Sequence, residues 1–157
     1  MKADPKFADT LKKLGVTDVM LANNHVFDFG IQGLQNTMDN LERVGLPYTG
    51  IGENDTESRK PYIIEQDSSK VGFINVCEHE YSYALPDRMG AKPYDPYLTI
   101  RDIRALKKQV AHVVVLYHGG KELCSYPSPR LRLLYQEMIE NGADAVNAET
   151  AEKGLLI

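Results

Sequence analysis

The 157-residue sequence predicts an α/β domain, and three features carry that expectation. Amphipathic helical segments alternate with short apolar runs, the pattern of strands joined through helices into a largely parallel sheet. Two of those runs, VTDVMLA and HVVVLY, deliver a histidine just past their ends. The stretches LKKLGVTDVMLANNH and EMIENGADAVNAET also share one plan: a helix, a glycine stop, an Asp-containing turn and a short strand with a polar end. In such sheets function collects at the carboxyl ends of the strands.

The elements follow in order. Asp4 and Pro5 form a cap-then-first-turn signature, Phe7, Leu11 and Leu14 keep helical spacing, and Gly15 closes a first helix over residues 5–14. Residues 16–22 read as a strand that ends in Asn23, Asn24 and His25. Ile31, Leu34, Met38, Leu41 and Val44 place a second helix over 31–44, stopped by Gly45 and Pro47. Two weaker strands, 62–65 and 71–76, are joined by the polar link DSSK.

Residues 77–97 show no period and contain Pro86, Pro93 and Pro96, so they read as one long loop. Thr99 is placed to cap a third helix bearing Ile100, Ile103, Leu106 and Val110, after which HVVVLY is a buried strand ending at His118, Gly119 and Gly120. Ser128 and Pro129 open a fourth helix closed by Asn141 and Gly142, and GADAV begins a last strand.

Composition narrows the function. Eighteen basic and 22 acidic residues give a net charge of −4 with no Lys/Arg block, which argues against a dedicated nucleic-acid binder. The opening MKADPKFADTLKKLG lacks the apolar core of a secretory signal, and nowhere do about 18 apolar residues run together as a membrane span needs. As encoded, the chain is expected to be cytoplasmic, with Cys77 and Cys124 a reduced pair.

Chemistry-capable side chains cluster at the strand ends. Asn24, His25 and Asp28 put an amide, an imidazole and a carboxylate on the turn after the first strand. An Asn oxygen is a neutral metal donor, and a neighbouring His serves as ligand or proton donor. Asn-rich turns after strands are also common, so a purely structural turn stays open. In LYHGGKE, His118 is followed by two glycines that admit a ligand to the backbone, with Glu122 four residues on. A hydrogen-bonded structural histidine fits that position as well.

Glu78, His79 and Glu80 either line a site mouth or form a solvated turn. Tyr81, Tyr83, Tyr94, Tyr97 and Tyr126 suit stacking on a polymer or packing beneath the loop. Lys121, Arg130, Arg88 and Lys92 could pair with a polyanion, and a solvated face explains them equally well.

The stretches LANNHVFDFGIQGLQNTMDNLERVGLPYTGIG and LYHGGKELCSYPSPRLRLLYQEMIENGADAV, with DSSKVGFINVCEHEYS between them, resemble the CapA family of poly-γ-glutamate capsule synthesis proteins. The resemblance covers residues 2–146, treats 1–157 as a single domain, and leaves 147–157 as a divergent tail. It implies a calcineurin-like metallophosphoesterase fold of the αββα sandwich type, incomplete at both ends. It also implies a divalent metal (manganese, iron or zinc) with Asn24 and His118 as ligands and His25 as the acid that protonates a leaving group.

Asn23 stands where the wider class has Gly, and Val26 where it usually has an acidic residue. The family's Gly-Asp strand, Asn-Leu-Glu segment and His-rich strand end have no counterpart in the sequence. Glu149 reads as an acidic turn rather than a replacement ligand, and a two-metal centre is therefore not filled.

The resemblance points to capsule or cell-envelope polymer synthesis. The alternatives are a metal-dependent phosphoesterase and a catalytically silent binding module. Partners on these readings are an anionic poly-glutamate chain or a phosphate ester. Family members are usually membrane-anchored and face outside, whereas no span is expected in this chain. Open sheet edges predict a homo-oligomer, with Leu11, Leu14, Leu155 and Leu156 at its contact.

Overall fold

The structure, a computed structural model, describes residues 3–78, 80–120 and 126–149. Helix α1 (Phe7–Lys13) is preceded by a turn in which the Asp4 carboxylate accepts the Lys6 amide at 2.8 Å. Gly15, at φ +82°, ends it: its amide bonds Lys12 O at 3.1 Å, and the Val16 amide bonds Leu11 O at 3.1 Å. This is a Schellman stop, in which a left-handed residue turns the last amides back onto the helix. Val16 is thus spent on the cap, and the strand expected over 16–22 shortens to β1 (Val19–Met20).

Helix α2 (Gly30–Arg43) buries Leu34, Met38 and Leu41 and ends the same way at Gly45. The chain then forms β2 (Tyr48–Thr49), parallel to β1, and β3 (Ile51–Gly52), two pairings the sequence did not signal. A single turn α3 (Asp55–Ser58) is capped by Asn54. Strands β4 (Tyr62–Gln66) and β5 (Ser69–Cys77) make the expected hairpin, with Asp67 at φ +55° in its two-residue turn.

The segment 77–97 is not one unstructured loop. It contains a 3-10 turn (Glu80–Ser82) and β6 (Gly90–Ala91), antiparallel to β3, and buries Ala84, Met89, Ala91 and Lys92. It pairs through backbone groups, so its side chains carry no period.

Helix α4 (Pro96–Lys107) begins three residues before Thr99. Its cap is Asp95, whose Oδ1 accepts the Leu98 amide at 2.8 Å, while Thr99 is fully buried inside the helix. Asp-Pro supplies both cap and first-turn residue, so Asp95→Ala is expected to lower stability by about 1 kcal/mol, read from the denaturation midpoint at constant m.

Strand β7 (His112–His118), helix α5 (Pro129–Glu140, capped by Ser128) and β8 (Ala145–Glu149) complete the chain. The four-stranded sheet has the order β4-β5-β7-β8, antiparallel only at β4-β5. Asp144 staples β8 to β7: its Oδ2 accepts the Val113 amide at 2.7 Å and the Lys107 ammonium at 2.7 Å. Lys107 first, then that amide, hold its carboxyl below the ordinary value.

The main core packs Ile74, Val76, Val113, Val115 and Tyr117 against Ile103, Leu106 and Met138 of α4 and α5. A second apolar region joins α1 and α2 to β1–β3. The two are bridged by backbone bonds: the Lys92 amide donates to Gly50 O at 2.8 Å and the Cys77 amide to Lys92 O at 2.9 Å. Among the described residues no helix is long and apolar enough to cross a membrane.

Candidate functional site at the strand ends

Beyond Met20 the chain leaves its partner strand under tight control. The Leu21 amide donates to Thr49 O at 2.9 Å, and the Ala22 amide to the side-chain Oδ1 of Asn75 at 2.7 Å. Asn75 is 5% exposed in the middle of β5, and its Nδ2 donates to Leu116 O at 3.3 Å. One buried amide thereby ties the start of the Asn24 turn to both β5 and β7. The signal for it was a lone polar residue within the apolar strand GFINVC.

The turn itself is built by its first residue. Asn23 Oδ1 accepts the His25 amide at 2.9 Å and Asn23 Nδ2 donates to Leu21 O at 3.1 Å, the self-bonding that suits Asn to tight turns. Val26 packs against Ala22, Cys77 and Ala91 and against the α2 cluster. An acidic side chain there would lie on apolar neighbours, so valine is the residue the packing favours.

Asn24 and His118 meet: His118 Nε2–H donates to Asn24 Oδ1 at 2.9 Å across 94 residues of chain. An amide oxygen can only accept, so this bond fixes the proton on Nε2. His25 turns into its own loop, where Nδ1 lies 3.0 and 3.2 Å from the two Asp28 oxygens, and its side chain is 61% exposed. The sequence-named residues thus form one interstrand pair and one His–Asp pair.

His118 sits opposite Cys77 and Glu149 in the ladder, and its carbonyl accepts the Glu78 amide at 2.8 Å. Glu78 then organises the turn that follows: Oε2 accepts the Gly120 amide at 2.9 Å, and Oε1 pairs with Arg130. Gly119 has no room for a side chain, since a Cβ would lie 2.6 Å from Glu78 Cβ and 2.9 Å from Tyr117 Cε1. Behind this turn Tyr117 stacks edge-on between Tyr94 (5.2 Å) and Tyr135 (5.5 Å).

Burial, and second the nearby Glu78 carboxylate, push the Tyr117 phenol well up, although its hydroxyl makes no well-aligned hydrogen bond. Burial likewise raises Tyr94 and Tyr135 to about 12. All three stay neutral at ordinary pH and serve as packing.

Three of the four cations named from sequence are used internally. Arg130 pairs with Glu78, Arg88 donates to Tyr83 O and covers the Phe27 ring at 5.2 Å, and Lys92 is buried against Asp102 at 2.8 Å. Tyr97 and Tyr126 are each 84% exposed, whereas Leu11 packs into the α1–α2 core. His79, Lys121, Glu122, Cys124, Leu155 and Leu156 lie outside the described residues.

The resemblance noted in the sequence implies a divalent metal with Asn24 and His118 as ligands. Asn24 and His118 offer one oxygen and one nitrogen, already bonded to each other. Among the described residues no group of three or more His, Cys, Asp or Glu could hold an ion. Four ligands for zinc, or an octahedron for manganese, are not met by two donors. The described residues by themselves do not fit a metal.

The sequence matches the family described as "Bacterial capsule synthesis protein PGA_cap" over residues 1–151. It is 28% identical over 150 residues to the PGA biosynthesis protein CapA of Bacillus subtilis (strain 168), covering 93% of this chain and 39% of that protein. The capsule biosynthesis protein CapA of Bacillus anthracis is 26% identical over 152 residues, covering 93% of the chain and 37% of the relative. The chain thus spans less than two fifths of the length of these two curated relatives.

Among solved structures, a putative 5'-nucleotidase from Staphylococcus aureus, in complex with alpha-ketoglutarate, superposes with a TM-score of 0.57 at 18% identity. It covers 94% of this chain and 34% of that one. That likeness speaks for the fold, which is metallophosphoesterase-like α/β. With the family matched along nearly its whole length, the chain belongs to the PGA_cap family of bacterial capsule synthesis proteins.

Proposed function

We propose that the chain carries the strand-end site of a protein acting in the synthesis of an anionic γ-linked glutamate polymer at the cell envelope. The observation that carries this reading is the family match over residues 1–151, which spans both turns that meet in the Asn24–His118 pair. The name of the Bacillus subtilis relative supports the polymer class.

In this reading Asn24 and His118 form the fixed floor of the site. Their mutual bond sets the His118 tautomer and holds two strand ends in register. His25, oriented at Nδ1 by Asp28, is the proton donor in its doubly protonated form: the carboxylate accepts Nδ1–H, the Nε2 proton passes to the leaving group, and the neutral ring is left with its proton on Nδ1. A bound divalent metal (manganese, iron or zinc) would supply Lewis acidity but requires ligands beyond Asn24 and His118.

The test is made in the native cell by deleting the gene and restoring it as wild type, Asn24→Ala or His118→Ala. Surface-bound polyglutamate should fall on deletion, recover with wild type, and stay at least tenfold lower with either substitution at equal protein level. Unchanged polymer after deletion would sink the proposal.

A further inference from the structure

A groove of about 700 Å³ runs between α4 and α5, on a face the strand-end site does not use. Its floor is apolar, formed by the partly buried Tyr94, Ile100 and Leu134, with the exposed Tyr97 at its edge. One rim carries Arg101, Arg104 and Lys108 of α4, and the opposite wall carries Glu137 of α5. We propose that this groove binds an extended polycarboxylate chain, a stretch of γ-linked polyglutamate, so that the domain grips the polymer away from the Asn24–His118 pair. The choice of polymer rests on the function proposed above.

Four observations favour that occupant. The cations stand at i, i+3 and i+7, on one helix face, about 4.5 and 10.5 Å along the axis from the first. An extended γ-glutamyl repeat, with five backbone bonds, advances on the order of 6 Å and turns its carboxylate to the opposite side, so carboxylates two repeats apart, about 12 Å, face the row and match the Arg101–Lys108 spacing. No described residue forms an ion pair with Arg101 or Lys108, both exposed. Arg104 is held ready by Asn141, whose Oδ1 accepts from its Nε at 2.8 Å. Three cations gathered beside one carboxylate stand out on a chain of net charge −4.

The floor and far wall favour this polymer over a phosphate chain. Each γ-glutamyl unit brings two methylenes to lay on the tyrosine and leucine surface. It also brings one amide N–H, a donor for Glu137, which itself is steadied by the Asn141 Nδ2 at 2.9 Å. Phosphate polymers carry no such donor along their backbone.

The experiment titrates the full-length protein with a fluorescent γ-glutamate oligomer about ten units long, read by anisotropy at low and high salt. An oligothymidylate of equal charge is the comparison. The wild type should bind the γ-oligomer more tightly than the oligothymidylate and lose affinity with salt. Arg101→Glu/Lys108→Glu should weaken binding at least tenfold with an unchanged melting temperature, because neither side chain has a described ionic partner.

If the double variant binds as wild type does while Asn24→Ala does not bind, the polymer engages the strand ends. The groove proposal then falls while the proposed function stands. No binding by wild type also overturns the groove, independently of the cellular polymer measurement. Tighter binding of the oligothymidylate overturns the choice of a carboxylate chain.

Discussion

Asp102→Ala is expected to destabilise the protein by about 3–5 kcal/mol, with most of that loss recovered in the double variant Lys92→Met/Asp102→Ala. Lys92 is 2% exposed, and its ammonium lies 2.8 Å from Asp102 Oδ2. Arg59 approaches the same oxygen at 3.6 Å and is bound to Asp55 at 3.0 Å. The network lies between α3, β6 and α4, where the chain segment after Ala91 also carries the backbone bonds that join the two halves of the fold. Removing Asp102 leaves a buried ammonium beside the Arg59 guanidinium, whereas removing both partners leaves an apolar contact.

The pH dependence has a definite sign. Burial is the largest influence on Lys92 and holds its pKa below the ordinary value even with Asp102 opposing. The unfolded chain therefore binds that proton more tightly than the native one, and stability rises as pH climbs from the lowered native value to about 10.4. Asp102→Ala removes the attraction that partly restored it, so the rise should begin at lower pH. Lys92→Met should abolish it. Urea midpoints at neutral pH and at about pH 9.5 measure both effects; an Asp102→Ala loss under about 1 kcal/mol would show the pair to be effectively solvated.

The same network marks where sequence reading ran out. Helices α2, α4 and α5 were legible because an apolar stripe at helical spacing is a local fact, as are the glycine stop of α2 and the Ser-Pro start of α5, whereas the Asp95-Pro96 start of α4 was read as loop and its cap placed on Thr99. Strands β5 and β7 were legible as apolar runs, and the histidine that ends β7 was found because the apolar run stops directly before it. Strands β2, β3 and β6 are two residues each and bond through backbone atoms, which leaves no side-chain pattern to read. Lys92, Arg88 and Arg130 read as cations for a polyanion or as a solvated face, and their internal partners were missed, because those partners lie 5 to 52 residues away or consist of a ring face and a carbonyl. The reverse holds for Arg101 and Lys108, which no sequence pattern singled out, because the other side of their groove comes from α5. Asn24 and His118 were identified separately from their strand ends, but Asn75, which brings the turn to β7, was not. Its role depends on a bond over 53 residues to a backbone amide.

Gly50→Ala tests that last dependence. Gly50 joins β2 to β3 at φ +86°, a conformation costing a residue with a side chain about 1–2 kcal/mol. A Cβ there would lie 2.4 Å from Asn75 Oδ1 and 2.8 Å from Ala22 Cβ, the two residues joined by the 2.7 Å bond ahead of the Asn24 turn. Relief requires the Asn75 amide to swing away, leaving the Ala22 amide unpaired at about 1–3 kcal/mol; overpacking adds about as much again. The expected loss is about 3–8 kcal/mol, a fall in melting temperature of roughly 10 °C or more for a domain of this size. Gly45→Ala is the control, because Gly45 is also left-handed, at φ +63°, but faces open space. It should cost only the backbone term, about 1–2 kcal/mol. The Gly50 variant should also shift the His118 C2–H resonance by NMR, since the Asn24 partner moves with its turn, while the Gly45 variant should leave it in place. Equal losses in the two variants, with His118 unmoved in both, would show that the β1 exit turn is held by something other than Asn75.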